Sequence, residues 1–142
     1  VPKVGLLDVN VLVALIVSSH VHHGYARRWV LTEGVHTGWA TCPVTELGAI
    51  RVCAQLTVGA RSPEATADAL IQMRIADRGH VWWPDAVSPA VVSEVRRAQT
   101  AKQVTDRYLL GLARRYGGLL ITFDRAIAQV GGADAVCLLP SA

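Results

Sequence analysis

Four acidic residues stand where a carboxylate is out of place. Asp8 closes the apolar run Val4-Gly5-Leu6-Leu7, and Asp124 closes a second run, Leu119-Leu120-Ile121-Thr122-Phe123. Glu46 and Asp106 fall on the apolar stripes of predicted helices. Three, four and seven residues beyond Glu46 stand Ala49, Ile50 and Cys53, and the same steps from Asp106 reach Leu109, Leu110 and Ala113. A lone charge on such a stripe is costly to bury. Four carboxylates that converge repel one another, and burial raises their pKa values; a divalent cation reverses both penalties. An all-oxygen site suits Mg²⁺ or Mn²⁺. That points to metal-assisted phosphoryl chemistry, with nucleic acid as the leading substrate class. Each acid also has a plain structural reading. Asp8 and Asp124 suit the caps of the helices that follow them, and Glu46 and Asp106 can answer a helix dipole from the first turn. The conjunction of all four is what favours a shared site.

The elements that must position these acids alternate along the chain. Five β-like runs are expected at Lys3–Leu7, Trp39–Cys42, His80–Trp83, Leu119–Thr122 and Ala135–Leu139. Helical patterns lie between them, over Val9–Val17, His22–Leu31 and from Pro43 to about Leu56. Ser62-Pro63-Glu64 opens another that reaches Ala76 before Gly79. Ser88-Pro89 opens one through Ala98, and Val104–Tyr116 ends at Gly117-Gly118. Strands alternating with helices predict an α/β fold with a parallel sheet wrapped on both faces. In such a sheet ligands bind beyond the carboxyl ends of the strands, where strand order reverses. Asp8 and Asp124 lie just past strand ends, and the sequence permits, without proving, that their strands are neighbours.

Composition sets the outer limits. The 142 residues, 51% of them hydrophobic and 18% charged, suit one domain over 1–142 with a well-buried core. No apolar run approaches the roughly 20 residues of a membrane span, and no signal peptide is read. Cys42, Cys53 and Cys137 form no CxxC pair and fit reduced core thiols in a cytoplasm. A formal charge of +3 favours an anionic partner without demanding one. The pairs Arg27-Arg28, Arg96-Arg97 and Arg114-Arg115 read first as solvated helix faces.

The segments Leu6-Leu7-Asp8-Val9-Asn10-Val11-Leu12, Pro43-Val44-Thr45-Glu46-Leu47, Thr105-Asp106-Arg107-Tyr108-Leu109-Leu110 and Thr122-Phe123-Asp124-Arg125 resemble those of the PIN-domain ribonucleases. The closest likeness is to the VapC toxins of bacterial type II toxin–antitoxin pairs, in order and over nearly the whole chain. The resemblance implies a Rossmann-like α/β/α sandwich with a parallel sheet of about five strands. It implies an endoribonuclease dependent on Mg²⁺ or Mn²⁺, and carries an acidic metal-binding quartet onto Asp8, Glu46, Asp106 and Asp124. Asn10 and Thr122 match polar positions that support the first and last acids. It further implies an RNA substrate, a cognate VapB-type antitoxin and a homodimer.

On this reading a metal-activated water attacks the phosphodiester in line, leaving a 5′-phosphate and a 3′-hydroxyl. Asp8, Asp106 and Asp124 hold the ion; Glu46 completes the site, binds a second ion or orients the water. Arg51, Arg107 and Arg125 are candidate phosphate contacts, with helix surface charge as the equal alternative. Trp82-Trp83 reads as core or interface before base stacking. His20, His22 and His23 match no standard metal spacing. Two rivals stay open. A different phosphoryl-transfer hydrolase is disfavoured because Asn10 replaces the second acid of a DxD and the only lysines are Lys3 and Lys102. A non-catalytic module binding RNA or a peptide is disfavoured because it gains little from clustered anions.

Overall fold

The computed structural model describes residues 2–76 and 78–141. The chain runs β1 (Gly5–Leu7), α1 (Val9–Ile16), α2 (His23–Trp29), a π-helical turn (Val30–Gly34), α3 (Val35–Thr37), β2 (Trp39–Thr41), α4 (Pro43–Gln55), α5 (Pro63–Ala76) and β3 (His80–Trp82). It continues through a 3₁₀ turn (Pro89–Val91), α6 (Ser93–Arg96), α7 (Ala101–Arg115), β4 (Leu119–Thr122), α8 (Arg125–Gly131), a second 3₁₀ turn (Gly132–Asp134) and β5 (Ala135–Cys137). The five strands pair in parallel in the order β3-β2-β1-β4-β5. From β1 the chain builds outward to β3, then returns to build β4 and β5 on the other side. The order therefore reverses between β1 and β4, the place where open α/β sheets bind ligands.

The strands read as apolar runs because both faces are covered. On one face Leu7 and Ile121 meet Val11, Leu12, Ala14, Ala49, Cys53 and Leu70, from α1, α4 and α5. On the other, Leu6 and Leu120 meet Tyr108, Leu109, Leu112 and Ile127, from α7 and α8. This is the expected α/β/α layering.

Local signals explain most element ends. The Ser62 hydroxyl accepts from Ala65 N–H at 3.1 Å, and Pro63 occupies the first helical position. At α4 the cap is Cys42, with Thr45 closing the reciprocal bond to Cys42 N–H at 3.0 Å. Two expectations need correction. The helix expected from Ser88 to Ala98 is broken: Ser88 caps only the turn Pro89–Val91, and the extended Val92 (ψ 117) separates it from the short α6. The helix expected to stop near Leu31 continues through the π turn to Thr37, and stops only where Gly38 takes φ +95.

The contact that sets α4 against α1 is a glycine. A methyl group on Gly48 would stand 2.6 Å from Val9 Cγ2, and Val9 directly follows Asp8. Gly48→Ala should gain about 0.5–1 kcal/mol of helix propensity and lose about 1–3 kcal/mol to overpacking. A net fall in the urea midpoint at unchanged m-value is expected; a rise would show that the two helices are not closely seated there.

Candidate metal centre at the β1–β4 strand ends

Asp8 leaves β1 and caps α1, its carboxylate accepting from Val11 N–H at 2.9 Å. Its own N–H donates to Ile121 O at 3.0 Å, which extends the β1–β4 ladder to the edge of the site. Asp124 leaves β4 and caps α8, accepting from Ala126 N–H at 2.8 Å and Ile127 N–H at 3.3 Å. Capping and a place at the switch point are thus the same geometry, not rival explanations. Thr122 joins the two acids. Its buried hydroxyl accepts from Asp124 N–H at 3.0 Å and hydrogen-bonds the Asp8 side chain.

Asp106 comes from the second turn of α7 and is half-buried. Burial raises its pKa, the charge of Asp124 adds to the rise, and Lys102 one turn earlier opposes it. Asp8 is 3% exposed. Its pKa is lifted from 3.8 to about 7, first by burial, with Asp106 and Asp124 adding and the bonds from Thr122 and Val11 opposing. Three aspartates from three separate elements therefore feel one another.

Glu46, in the first turn of α4, is placed differently. Its carboxylate accepts from the Thr41 hydroxyl at 2.7 Å and from Arg74 through Nε at 3.1 Å and through Nη2. The acids acting on Asp8 are Asp106 and Asp124, while Glu46 is answered by its own arginine. Among the described residues no group of three or more His, Cys, Asp or Glu side chains stands close enough together to hold a metal ion. The chemistry of the aspartates still suits a hard cation: oxygen donors only, mutually repulsive, one of them buried without a compensating side-chain charge.

A cleft of about 200 Å³ between α7 and α8 opens onto Asp106 and Asp124, and is lined by Thr100, Lys102, Gln103, Arg107 and Ile127. Of the arginines named from sequence, Arg107 lines this cleft. Arg51 is exposed on α4, and Arg125 is exposed and donates to Pro140 O. Asn10 is exposed in the first turn of α1. Trp83 is buried and stacked on Tyr116, whereas Trp82 is 45% exposed beneath the Arg74 guanidinium. The three histidines form no metal site. His23 Nδ1–H donates to Ala14 O at 2.7 Å, His20 Nδ1 accepts from His22 N–H, and the His22 ring packs on Phe123. Arg114 binds Glu94 at 3.0 Å and Asp134 at 2.9 Å, a surface brace between α6, α7 and the turn before β5. Lys102 was missed in the sequence, although its spacing of four from Asp106 on one helix places it beside that acid. Arg74 was missed because no local pattern links it to Glu46.

The PIN domain profile matches residues 5–133. The chain is 42% identical over 138 residues to Ribonuclease VapC39 of Mycobacterium tuberculosis, covering 95% of this chain and 99% of that protein. The chain belongs to the PIN domain family. It is also 41% identical over 136 residues to Ribonuclease VapC29 of the same organism, covering 96% of each. The crystal structure of M. tuberculosis VapC20, a sarcin–ricin loop cleaving toxin, superposes with a TM-score of 0.66 at 14% identity. It covers 89% of this chain and 95% of that one, a likeness of fold. In this PIN domain the first and last acids sit at the ends of adjacent strands, a neighbourhood the sequence only permitted.

The raised Asp8 gives a signed pH dependence. Between about pH 4 and 7 the folded protein keeps a proton that the unfolded chain has released. Stability of the metal-free protein should therefore fall as pH rises through this window and level off above it. Asp8→Asn keeps an acceptor for Val11 N–H and removes the Asp8 share of the slope, raising stability at pH 8 by about 1–4 kcal/mol. Urea denaturation of both proteins at pH 5 and pH 8 checks this; parallel behaviour would mean that Asp8 ionises normally.

Proposed function

We infer that this PIN domain, over residues 1–142, is an Mg²⁺- or Mn²⁺-dependent endoribonuclease, the toxin of a VapBC-type pair. The observation that carries the reading is that Asp8 and Asp124 leave adjacent strands at the reversal of strand order, with Asp106 lining one cleft with Asp124. Kinship with proteins named ribonuclease VapC supplies the substrate class and the antitoxin partner. No helix among the described residues is long and apolar enough to cross a membrane. A cytoplasmic homodimer held by a VapB-type antitoxin completes the proposal.

Asp8, Asp106 and Asp124 would hold the ion, with Glu46 as a fourth carboxylate. A divalent ion so held supplies Lewis acidity and offsets charge on the transferring phosphoryl group. Thr122 ties the Asp8 side chain to the Asp124 backbone N–H, as residues behind a metal's ligands do. Asp8 must enter the reaction ionised, so the neighbours that favour its charged form, Thr122 and Val11 N–H, assist the chemistry. Lys102 and Arg107 line the cleft beside two of the acids and would grip phosphates flanking the cut. Because water attacks, preference for RNA rests on contacts and shape, not on the 2′-hydroxyl as nucleophile.

Asp106→Asn and Asp124→Asn should each lower Mn²⁺-dependent RNA cleavage about a hundredfold or more with the circular-dichroism spectrum unchanged. Excess EDTA should silence the wild type. Undiminished cleavage in both variants and in EDTA would end the proposal, and RNA binding without cleavage would favour a non-catalytic module. Arg107→Ala should weaken RNA binding and reduce the salt slope by about one, measured by fluorescence anisotropy across a KCl series.

A further inference from the structure

The cleft between α7 and α8 has an apolar wall as well as its acids. Ala126, Ile127 and Val130 of α8 line it, and Val130 is 45% exposed. At about 200 Å³ the space is many times what one water needs. The α7 wall is polar, and two of its groups have no task in the metal chemistry. Thr100 is the N-cap residue of α7, yet its hydroxyl makes no capping bond, the bond a threonine there ordinarily supplies. Gln103 stands at the third helical position, from which a capping-box side chain reaches back. Its Oε1 accepts from Gln99 N–H at 2.9 Å, and that bond orients the amide. With the oxygen engaged by the backbone, the amide N–H groups are what Gln103 offers to a ligand. Three and four residues further on stand Asp106 and Arg107, on the same helical face and in the same cleft.

An apolar surface with hydrogen-bonding groups beside it is what an unstacked base of single-stranded RNA requires. The cleft opens onto Asp106 and Asp124, so its occupant lies next to the phosphate being cut, and Lys102 and Arg107 supply charge for the backbone. We propose that this cleft is a base-reading subsite, taking one nucleobase beside the scissile phosphate, with Gln103 as its specificity-determining residue. The inference rests on the ribonuclease reading above and deepens it. An amide N–H needs an acceptor. Guanine and uracil carry a keto oxygen where adenine and cytosine carry an amino group. Gln103 therefore favours a keto base and meets an amino base donor against donor. The Thr100 hydroxyl, donor and acceptor at once, takes either and sets no preference. Ala126, the smallest side chain of the apolar wall, leaves the room that the ring fills.

The test maps the ends produced when purified protein and Mn²⁺ cut a pool of random-sequence RNA. The wild type should enrich guanine and uracil at one fixed position next to the cut. Gln103→Glu keeps an acceptor for Gln99 N–H and replaces the amide donors by a carboxylate. The keto-to-amino ratio at that position should then fall about three- to tenfold, whatever the overall rate. Ala126 is exposed, so Ala126→Leu fills the cleft without disturbing the core. It should slow cleavage of an ordinary oligonucleotide about tenfold, the scale of losing one buried ring, and leave unchanged the cleavage of the same strand made abasic at that position. No base preference in the wild type, an unaltered ratio in Gln103→Glu, or equal slowing of both substrates in Ala126→Leu would each overturn the subsite and leave the ribonuclease reading standing. A wild type that cuts no RNA would remove both.

Discussion

The parallel pairing of β1 with β4, from Gly5 opposite Leu119 to Leu7 opposite Ile121, is the constraint on which the site depends. The two strands end level with one another, so the residues that follow them emerge side by side. One of those residues is Asp8, whose N–H completes the ladder on Ile121 O; the other strand delivers Thr122 and Asp124. Their helices then begin at the same edge, and each aspartate caps its own helix. The helix N-terminus stabilises negative charge, which partly offsets the expense of placing several carboxylates together. A slip of β4 by one residue would exchange its two faces, sending Ile121 to the wrong core and Thr122 away from both acids.

Charge at this edge is handled in two ways. Asp8 is buried with no side-chain cation acting on it and keeps its proton to about pH 7, while Lys102 opposes the rise at Asp106. Glu46, by contrast, is bound by Thr41 and Arg74. A buried anion without a partner is an unstable arrangement for a protein that never meets a cation, and a reasonable one for a protein that does. The difference sets Asp8, whose buried carboxyl has no side-chain cation acting on it, apart from Glu46, which is paired with Arg74.

Basic residues sort by the same criterion of what they face. Arg114 is committed to Glu94 and Asp134, and Arg125 donates to Pro140 O, so adjacency in sequence to an acid or to another arginine says little about nucleic-acid contact. Lys102 and Arg107 open into the cleft shared with Asp106 and Asp124.

Much of this was legible along the chain. Apolar runs closed by an acid located β1 and β4, Ser62-Pro63 and Pro43 located two helix starts, and helical spacing put Glu46 and Asp106 on faces with core residues. These features are set within a few residues of sequence, by caps, periodicity and burial, and so survive without tertiary information. Three things were not of that kind. The Ser88 segment broke into a turn and a short helix because a good cap does not guarantee that the residues after it propagate. The neighbourhood of β1 and β4 depends on which strands pair across more than a hundred residues, and only the closed sheet decides it. The partner of Glu46 comes from the far end of α5, and the packing of α5 on α4 brings the Arg74 guanidinium to it. Sequence by itself determined which acids were in unusual places; tertiary structure decided which of them meet, because electrostatic coupling falls with distance in space and takes no account of distance along the chain.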